Sequence, residues 1–222
     1  MAEVMDWDAA YSDHVFAGPP PWNIGEAQPE IVALVDAGKI TGPVLDAGCG
    51  VGDVSLALAE HGYDVVGADI STVAIEAATR AAAARNLTNV RFVQGDLRTL
   101  TVDGEPFNTI VDCTLFHSLP VEAREDYLRG VHQVSAPGAV LHMLVFTTDA
   151  LPPDSPFPVP NLVTEAELRE VVSRVWTIEN VAPAFVAVKL PDVPNLPEHS
   201  FDSDDKGRVK LPALLLSARK TG

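Results

Sequence analysis

One short run of residues sets the chemistry this chain could do. From Pro43 to Asp53 the sequence reads PVLDAGCGVGD, with glycines at 48, 50 and 52 and carboxylates at Asp46 and Asp53. Glycines let a backbone turn sharply and let a ligand approach with no Cβ in the way. Pro43-Val44-Leu45 reads as the start of a short buried strand, and Val54, Ala57 and Leu58 share one face of a following helix. Strand, tight turn and helix together make a nucleotide-binding unit.

The carboxylates bear on which nucleotide. A dinucleotide fingerprint places its third glycine at position 53, where this chain has Asp53. A pyrophosphate would meet two carboxylates at a helix N-terminus whose partial charge normally neutralises an anion. S-adenosylmethionine has no phosphate and carries an ammonium and a sulfonium, so acidic residues around the turn favour it. Asp69 ends the next apolar run, Val65-Val66-Gly67-Ala68. It lies about 20 residues past the turn, where an acid at a strand end accepts hydrogen bonds from both ribose hydroxyls. Asp46, Gly48, Cys49, Gly50 and Asp69 are therefore expected to bind the cofactor.

Four segments in order, LDAGCGVG, VVGADIS, VRFVQGDL and FNTIVDCTLFHSL, resemble the successive motifs of class I S-adenosylmethionine-dependent methyltransferases. The resemblance covers roughly residues 40–146 well and the whole chain loosely. PPWNIGEAQPEI is similar to the small-molecule branch that contains thiol, thiopurine and halide methyltransferases and bacterial heterocyclic toxin methyltransferases. The resemblance implies an α/β, Rossmann-like, doubly wound seven-stranded sheet in one domain over residues 1–222, mostly parallel with one antiparallel edge strand. It implies that residues 1–30 close over cofactor and substrate, with Trp22 beside the cofactor's methionine end. Asn23 stands where the family more often has aspartate. It further implies that Asp96, after Gly95, accepts from the adenine amino group and that Ile70 and Leu97 sandwich the ring. Cys113, at the end of the fourth strand, joins the same cofactor-binding set.

Methyl transfer from a sulfonium is an in-line displacement of a methyl that is already activated, so the protein's work is orientation and exclusion of water. A base is needed only for an acceptor that arrives protonated. His117 follows the fourth strand and titrates near neutrality when unperturbed, which makes it the candidate catalytic residue beside a packing role. His199 is a second candidate. Tyr11, Trp22, Phe116, His117 and Phe146 are expected to contact the substrate, and Phe157 and Phe201 could add aromatic walls. The expected reaction is methylation of a small aromatic or heterocyclic acceptor, with oxygen favoured. An S- or halide-directed methyltransferase, or a protein that uses the cofactor for other chemistry, is the alternative; a nicotinamide-dependent reductase is disfavoured by Asp46 and Asp53.

These residues need elements to position them. A helix is expected over residues 28–39, another from the glycine turn to His61, and an alanine-rich helix from a Ser71 cap to Arg85. Strands are expected at 63–69, 90–94, 107–113 and 139–146, with a helix from Leu119-Pro120 to about Val134. A Thr164/Glu167 capping box starts a helix to about Arg174, and residues 175–189 and 209–218 supply strands six and seven as an antiparallel pair. Two proline-rich inserts, residues 147–161 and 190–207, leave the same sheet edge as the glycine turn and should cover one pocket with the N-terminal segment.

Composition narrows the partners. With 222 residues and 47% hydrophobic content the chain can bury one α/β core. A net charge of -16, with no basic stripe among 15 Lys and Arg, argues against nucleic acid and for a small molecule. There is no basic, apolar leader and no long apolar run, so a soluble cytoplasmic monomer or homodimer is expected, with no membrane partner. Two cysteines, Cys49 and Cys113, suit a reducing compartment, and no metal-ligand spacing is present, so no metal is expected.

Overall fold

The computed structural model describes residues 5–12, 19–151, 161–189 and 201–221. Among them, seven strands form one mixed sheet in the order β3-β2-β1-β4-β5-β7-β6. The strands are β1 (Val44–Ala47), β2 (Val65–Asp69), β3 (Val90–Gln94), β4 (Phe107–Cys113), β5 (Ser135–Phe146), β6 (Thr177–Val188) and β7 (Val209–Arg219). Strands β1 and β2 are buried along their whole length, as near-continuous apolar runs in a parallel sheet must be. β1 pairs in parallel with both β2 and β4, so connections leave it in opposite directions and a crevice opens at its carboxyl end. The antiparallel pair lies at one edge as expected. The strand that runs against its neighbours is β7, one place in from the rim, with β6 outside it.

Helices α2 (Pro29–Asp36), α3 (Asp53–Glu60), α4 (Thr72–Ala84), α5 (Arg124–Gln133) and α6 (Glu165–Ser173) cover the sheet, and α1 (Trp7–Tyr11) caps its carboxyl edge. Leu45, Tyr127, Leu128, Leu168 and Val172 pack in one apolar cluster, and Val44, Ile31, Val54 and Leu58 in another. Consecutive residues of β1 thus feed opposite faces, the period-2 consequence of a pleated strand. Ser71 caps α4 by accepting from the Ala74 N–H, and both halves of the Thr164/Glu167 capping box form. Gly130 of α5 is required by close approach, because a Cβ there would lie 2.2 Å from the Leu97 carbonyl oxygen.

Three local expectations change. The helix expected from Leu119 is broken into 3₁₀ turns at Phe116–Ser118 and Val121–Ala123, and α5 starts only at Arg124. Leu119 and Pro120 are extended, with ψ of 145° and 140°, because the residue before a proline is driven out of the helical region. β5 begins at Ser135 rather than after Pro137-Gly138, and its register with β4 shifts between Phe107 and Thr109 to absorb the extra residues. The N-terminal segment, which carries no long helical period, forms the five-residue α1 because Asp6 accepts from the Ala9 N–H. Most of both proline-rich inserts, with Phe157 and His199, lies outside the described residues.

Candidate active site

The glycine turn is held by its neighbours and leaves a hollow beside them. Gly48, Gly50 and Gly52 have φ of 73°, 52° and 89°, a region other residues rarely occupy. The Gly48 and Cys49 N–H groups donate to the Ala68 carbonyl of β2 at 2.8 and 3.1 Å. Gly50 N–H donates to Asp69 Oδ2 at 2.9 Å and Ser71 N–H to Oδ1 at 2.9 Å. Asp69 is thus fixed at the strand end by two backbone donors, and burial pushes its carboxyl upward against them. A carboxylate has about four lone-pair sites, so acceptor capacity is left over.

Two more buried carboxylates stand on the central strands. Asp46 accepts from Ser55 Oγ at 2.6 Å and is pushed up to about 7, chiefly by burial, with Asp69 and Asp112 adding repulsion. Asp112 is pushed up to about 6 by burial. It accepts from the Leu115 and Phe116 N–H groups at 2.9 and 3.2 Å and from the Tyr127 hydroxyl at 2.7 Å. These bonds fold the chain after β4 back over the glycine turn. Leu115 ends so close that a Cβ on Gly48 would lie 2.7 Å from its Cβ. Asp112 and Tyr127 were not singled out in the sequence; the signal was a carboxylate inside an otherwise apolar strand.

A cavity of about 180 Å³ runs along this edge. Trp7, Tyr11 and Trp22 line one side, with Trp7 edge-on to Trp22 at 6.5 Å. Asp69, Ile70, Gly95, Asp96 and Leu97 line it too, as do Cys113, Leu115, His117 and Tyr127. A second hollow of about 50 Å³ touches Glu26, Asp46, Cys49, Gly50 and Asp53. Helix α1 is tied down by Asp8, whose Oδ1 accepts from Ser71 Oγ at 2.6 Å and from the Val73 N–H at 3.2 Å. Trp7 and Asp8 escaped sequence reasoning because a five-residue helix carries too few turns for a period.

Most expected residues therefore converge, but three do not: Phe201 packs partly buried against the apolar cluster that holds Val44 and lines neither hollow. Phe116 is buried beneath Arg124 and against Tyr127, and Phe146 packs behind His117 with ring centroids 4.9 Å apart; neither lines the cavity. Both belong to continuous apolar runs whose inward faces fill the core. Asp96 lines the cavity and is gripped by Arg98 through Nε, Nη2 and the backbone N–H, so it also caps its own turn. Burial holds the Cys49 and Cys113 thiols well above their usual range, so both stay protonated.

His117 sits in the wall with its imidazole pushed down to about 3, by burial first and the Arg124 charge second. Its Nδ1 accepts from the Phe146 N–H at 3.4 Å. A neutral imidazole that accepts at Nδ1 carries its proton on Nε2. At neutral pH this side chain offers the cavity a donor rather than a proton acceptor.

Residues 44–138 match the methyltransferase domain family. The chain is 49% identical over 168 residues to a 2-heptyl-1-hydroxyquinolin-4(1H)-one methyltransferase of Mycobacteroides abscessus, covering 76% of this chain and 73% of that protein. It is 32% identical over 145 residues to a probable thiol methyltransferase 2 of Arabidopsis thaliana, covering 64% of each. A solved structure described under the conversion of a disulfide bond into a thioacetal group during echinomycin biosynthesis superposes with a TM-score of 0.82 at 31% identity. That match covers 97% of this chain and 90% of the other.

Proposed function

The chain belongs to the small-molecule branch of the S-adenosylmethionine-dependent methyltransferases, and on that premise we propose that it methylates an acidic hydroxyl oxygen on an aromatic heterocycle. The donor set suits the cofactor. Of the residues lining the two hollows, Glu26, Asp46, Asp53, Asp69 and Asp96 are acidic, and the single arginine, Arg98, is bound to Asp96. Such walls suit a phosphate-free cationic nucleoside. S-adenosylmethionine, when bound, supplies a methyl group already activated on a sulfonium.

The chain's own residues do the rest. In this reading Asp69 accepts from the ribose hydroxyls, Ile70 and Leu97 clasp the adenine, and Gly95 and Asp96 close its polar edge. Gly48, Cys49 and Gly50 let the backbone approach, Cys113 packs beside them, and Asp46 supplies negative charge at the amino-acid end. Trp22 and Tyr11 roof the site, and α1 excludes water with Asp8 docked on Ser71; residues 1–4 and 13–18 of the expected cover lie outside the described residues. No metal-ligand cluster of three or more His, Cys, Asp or Glu occurs among the described residues.

The observation that carries the acceptor class is His117. A histidine held neutral by burial, with Nδ1 already accepting, is a poor base at neutral pH, so the acceptor must be acidic enough to lose its proton to solvent rather than to His117. In a 1-hydroxyquinolin-4-one, the substrate named for the Mycobacteroides relative, the N-hydroxyl is conjugated through the ring with the 4-carbonyl, so its anion is delocalised. In this reading Nε2–H of His117 donates to such an oxygen. A thiolate is the second reading, favoured by the thiol methyltransferase relative and the thioacetal structure. Incubating the protein with cofactor and 2-heptyl-1-hydroxyquinolin-4(1H)-one, in parallel with small aromatic thiols, tests this by mass spectrometry. One added methyl on the quinolone oxygen is expected; methylation of the thiols alone would overturn the oxygen assignment.

A further inference from the structure

Arg124 opens α5 with only 5% of its surface exposed. Among the described residues its guanidinium makes one hydrogen bond, from Nη2 to the Asn161 carbonyl, and its Nε is buried with no partner at all. Its flat face lies 4.9 Å from the centroid of the Phe116 ring. No carboxylate among the described residues pairs with it. Glu167 of α6 acts on it only at a distance, and the Oε2 of Glu167 is taken up by the Thr164 N–H and hydroxyl. A guanidinium does not deprotonate in a protein, so this is a permanent buried charge with no directly paired carboxylate among the described residues, a costly arrangement unless something compensates it.

Its neighbours show where that charge is felt. Ala123 precedes it and Tyr127 stands one turn on, and both line the cavity. His117 also lines the cavity and is itself pressed by the Arg124 charge, while Phe116, its neighbour in sequence, stacks against the guanidinium. The charged groups that line the cavity are Asp69, Asp96 and Arg98, with Arg98 already neutralised by Asp96, and the buried Asp112 carboxylate behind this wall is taken up by the Leu115 and Phe116 N–H groups and the Tyr127 hydroxyl. The His117 wall is therefore backed by a guanidinium that no carboxylate pairs with directly among the described residues.

We propose that Arg124 supplies the missing half of an ion pair whose other half is the acceptor, stabilising the acceptor oxygen as an anion through the Phe116–His117 wall and replacing a general base. The acceptor hydroxyl releases its proton to solvent on binding. An oxygen lone pair then forms the new carbon–oxygen bond as the carbon–sulfur bond breaks, with that electron pair kept by sulfur, so a sulfonium and an oxyanion become a neutral thioether and a neutral ether. The ether no longer answers the guanidinium field, which favours its release. This inference deepens the reading above and rests on it.

The test reads ionisation rather than turnover. 2-Heptyl-1-hydroxyquinolin-4(1H)-one is bound to the protein with S-adenosylhomocysteine, and the absorbance of the bound chromophore is titrated with pH, with 4-nitrothiophenol as a second probe. In the parent protein the bound acceptor ionises at lower pH than the free one. In Arg124→Met its ionisation moves upward, so the anionic fraction at mildly acidic pH falls about tenfold, the size expected of one nearby charge. Arg124→Lys, which keeps the charge, restores most of the effect. Replacing an unpaired buried charge by an apolar side chain should leave the melting temperature unchanged or raised, and Arg124→Gln serves as a second neutral variant. A shift seen with the thiol probe alone moves the acceptor class to sulfur and supports Arg124. No difference between parent and the neutral variants with either probe overturns the proposal.

Discussion

Asp46 is held inside β1 with 1% of its surface exposed and one neutral hydroxyl for company. Its charged form is disfavoured in the folded chain, where its pKa is pushed up to about 7, while an unfolded chain titrates it near 3.9. Between those values the native state holds more protons than the unfolded one, so this group's contribution is intact in acid and is lost as pH rises toward about 7. His117 acts with the opposite sign over part of that window, because its buried imidazole resists the proton that the unfolded chain accepts. The comparison is therefore between variant and parent. Asp46→Asn keeps the Ser55 bond and should be more stable than the parent at pH 8 by on the order of 3 kcal/mol, with the advantage vanishing toward pH 4. Urea midpoints of the ligand-free proteins measure it, and a pH-independent difference would refute the buried-charge account.

Elements act on the site by how closely they approach. The glycine turn, the chain after β4 and α1 meet within side-chain distance, and Asp112 pins the second of these through Leu115, Phe116 and Tyr127. Gly48 has no room for a methyl group, since its Cβ would be 2.7 Å from Leu115 at a φ of 73°. Gly48→Ala combines that clash with a left-handed backbone, and each costs on the order of 1–3 kcal/mol. It should lower the urea midpoint and weaken S-adenosylhomocysteine binding at least tenfold by calorimetry. Unaltered binding would mean that the turn and Leu115 separate freely. The broken helix before α5 has the same logic: Pro120 keeps Leu119 extended, and this brings Ser118, Leu119 and Ala123 to the cavity wall where a continuous helix would have carried them past it.

At the scale of the whole molecule the acidity has a spatial order. A net charge of -16 surrounds a pocket that is lined by Asp69 and Asp96 and by His117, which feels the charge of the buried Arg124. Ligands that bind the native state raise its melting temperature by mass action. S-adenosylmethionine and S-adenosylhomocysteine should therefore raise it, and NADPH, with its phosphates, should not. In Asp69→Ala the S-adenosylhomocysteine shift should shrink by more than half, as loss of charge-assisted hydrogen bonds implies. A larger shift with NADPH, or an undiminished one in Asp69→Ala, would place a different ligand at the turn. Among the described residues no helix is long and apolar enough to cross a membrane.

The succession of strands along the chain, the glycine turn, Asp69 at the end of β2 and the capping box of α6 were all legible in the chain, because each is local: a run of apolar residues, a glycine where no Cβ fits, a hydroxyl three residues before a glutamate. Composition and the acidic turn also pointed to a cationic cofactor. What sequence could not fix was burial and orientation. Whether Phe116 and Phe146 wall the pocket or stand behind it, which nitrogen of His117 accepts, and that Arg124 pairs with no carboxylate among the described residues all depend on segments that meet across the fold. Spacing and residue type decide what a segment can become; only packing decides which charges are left uncompensated, since solvation and pairing belong to the assembled interior rather than to any stretch of sequence.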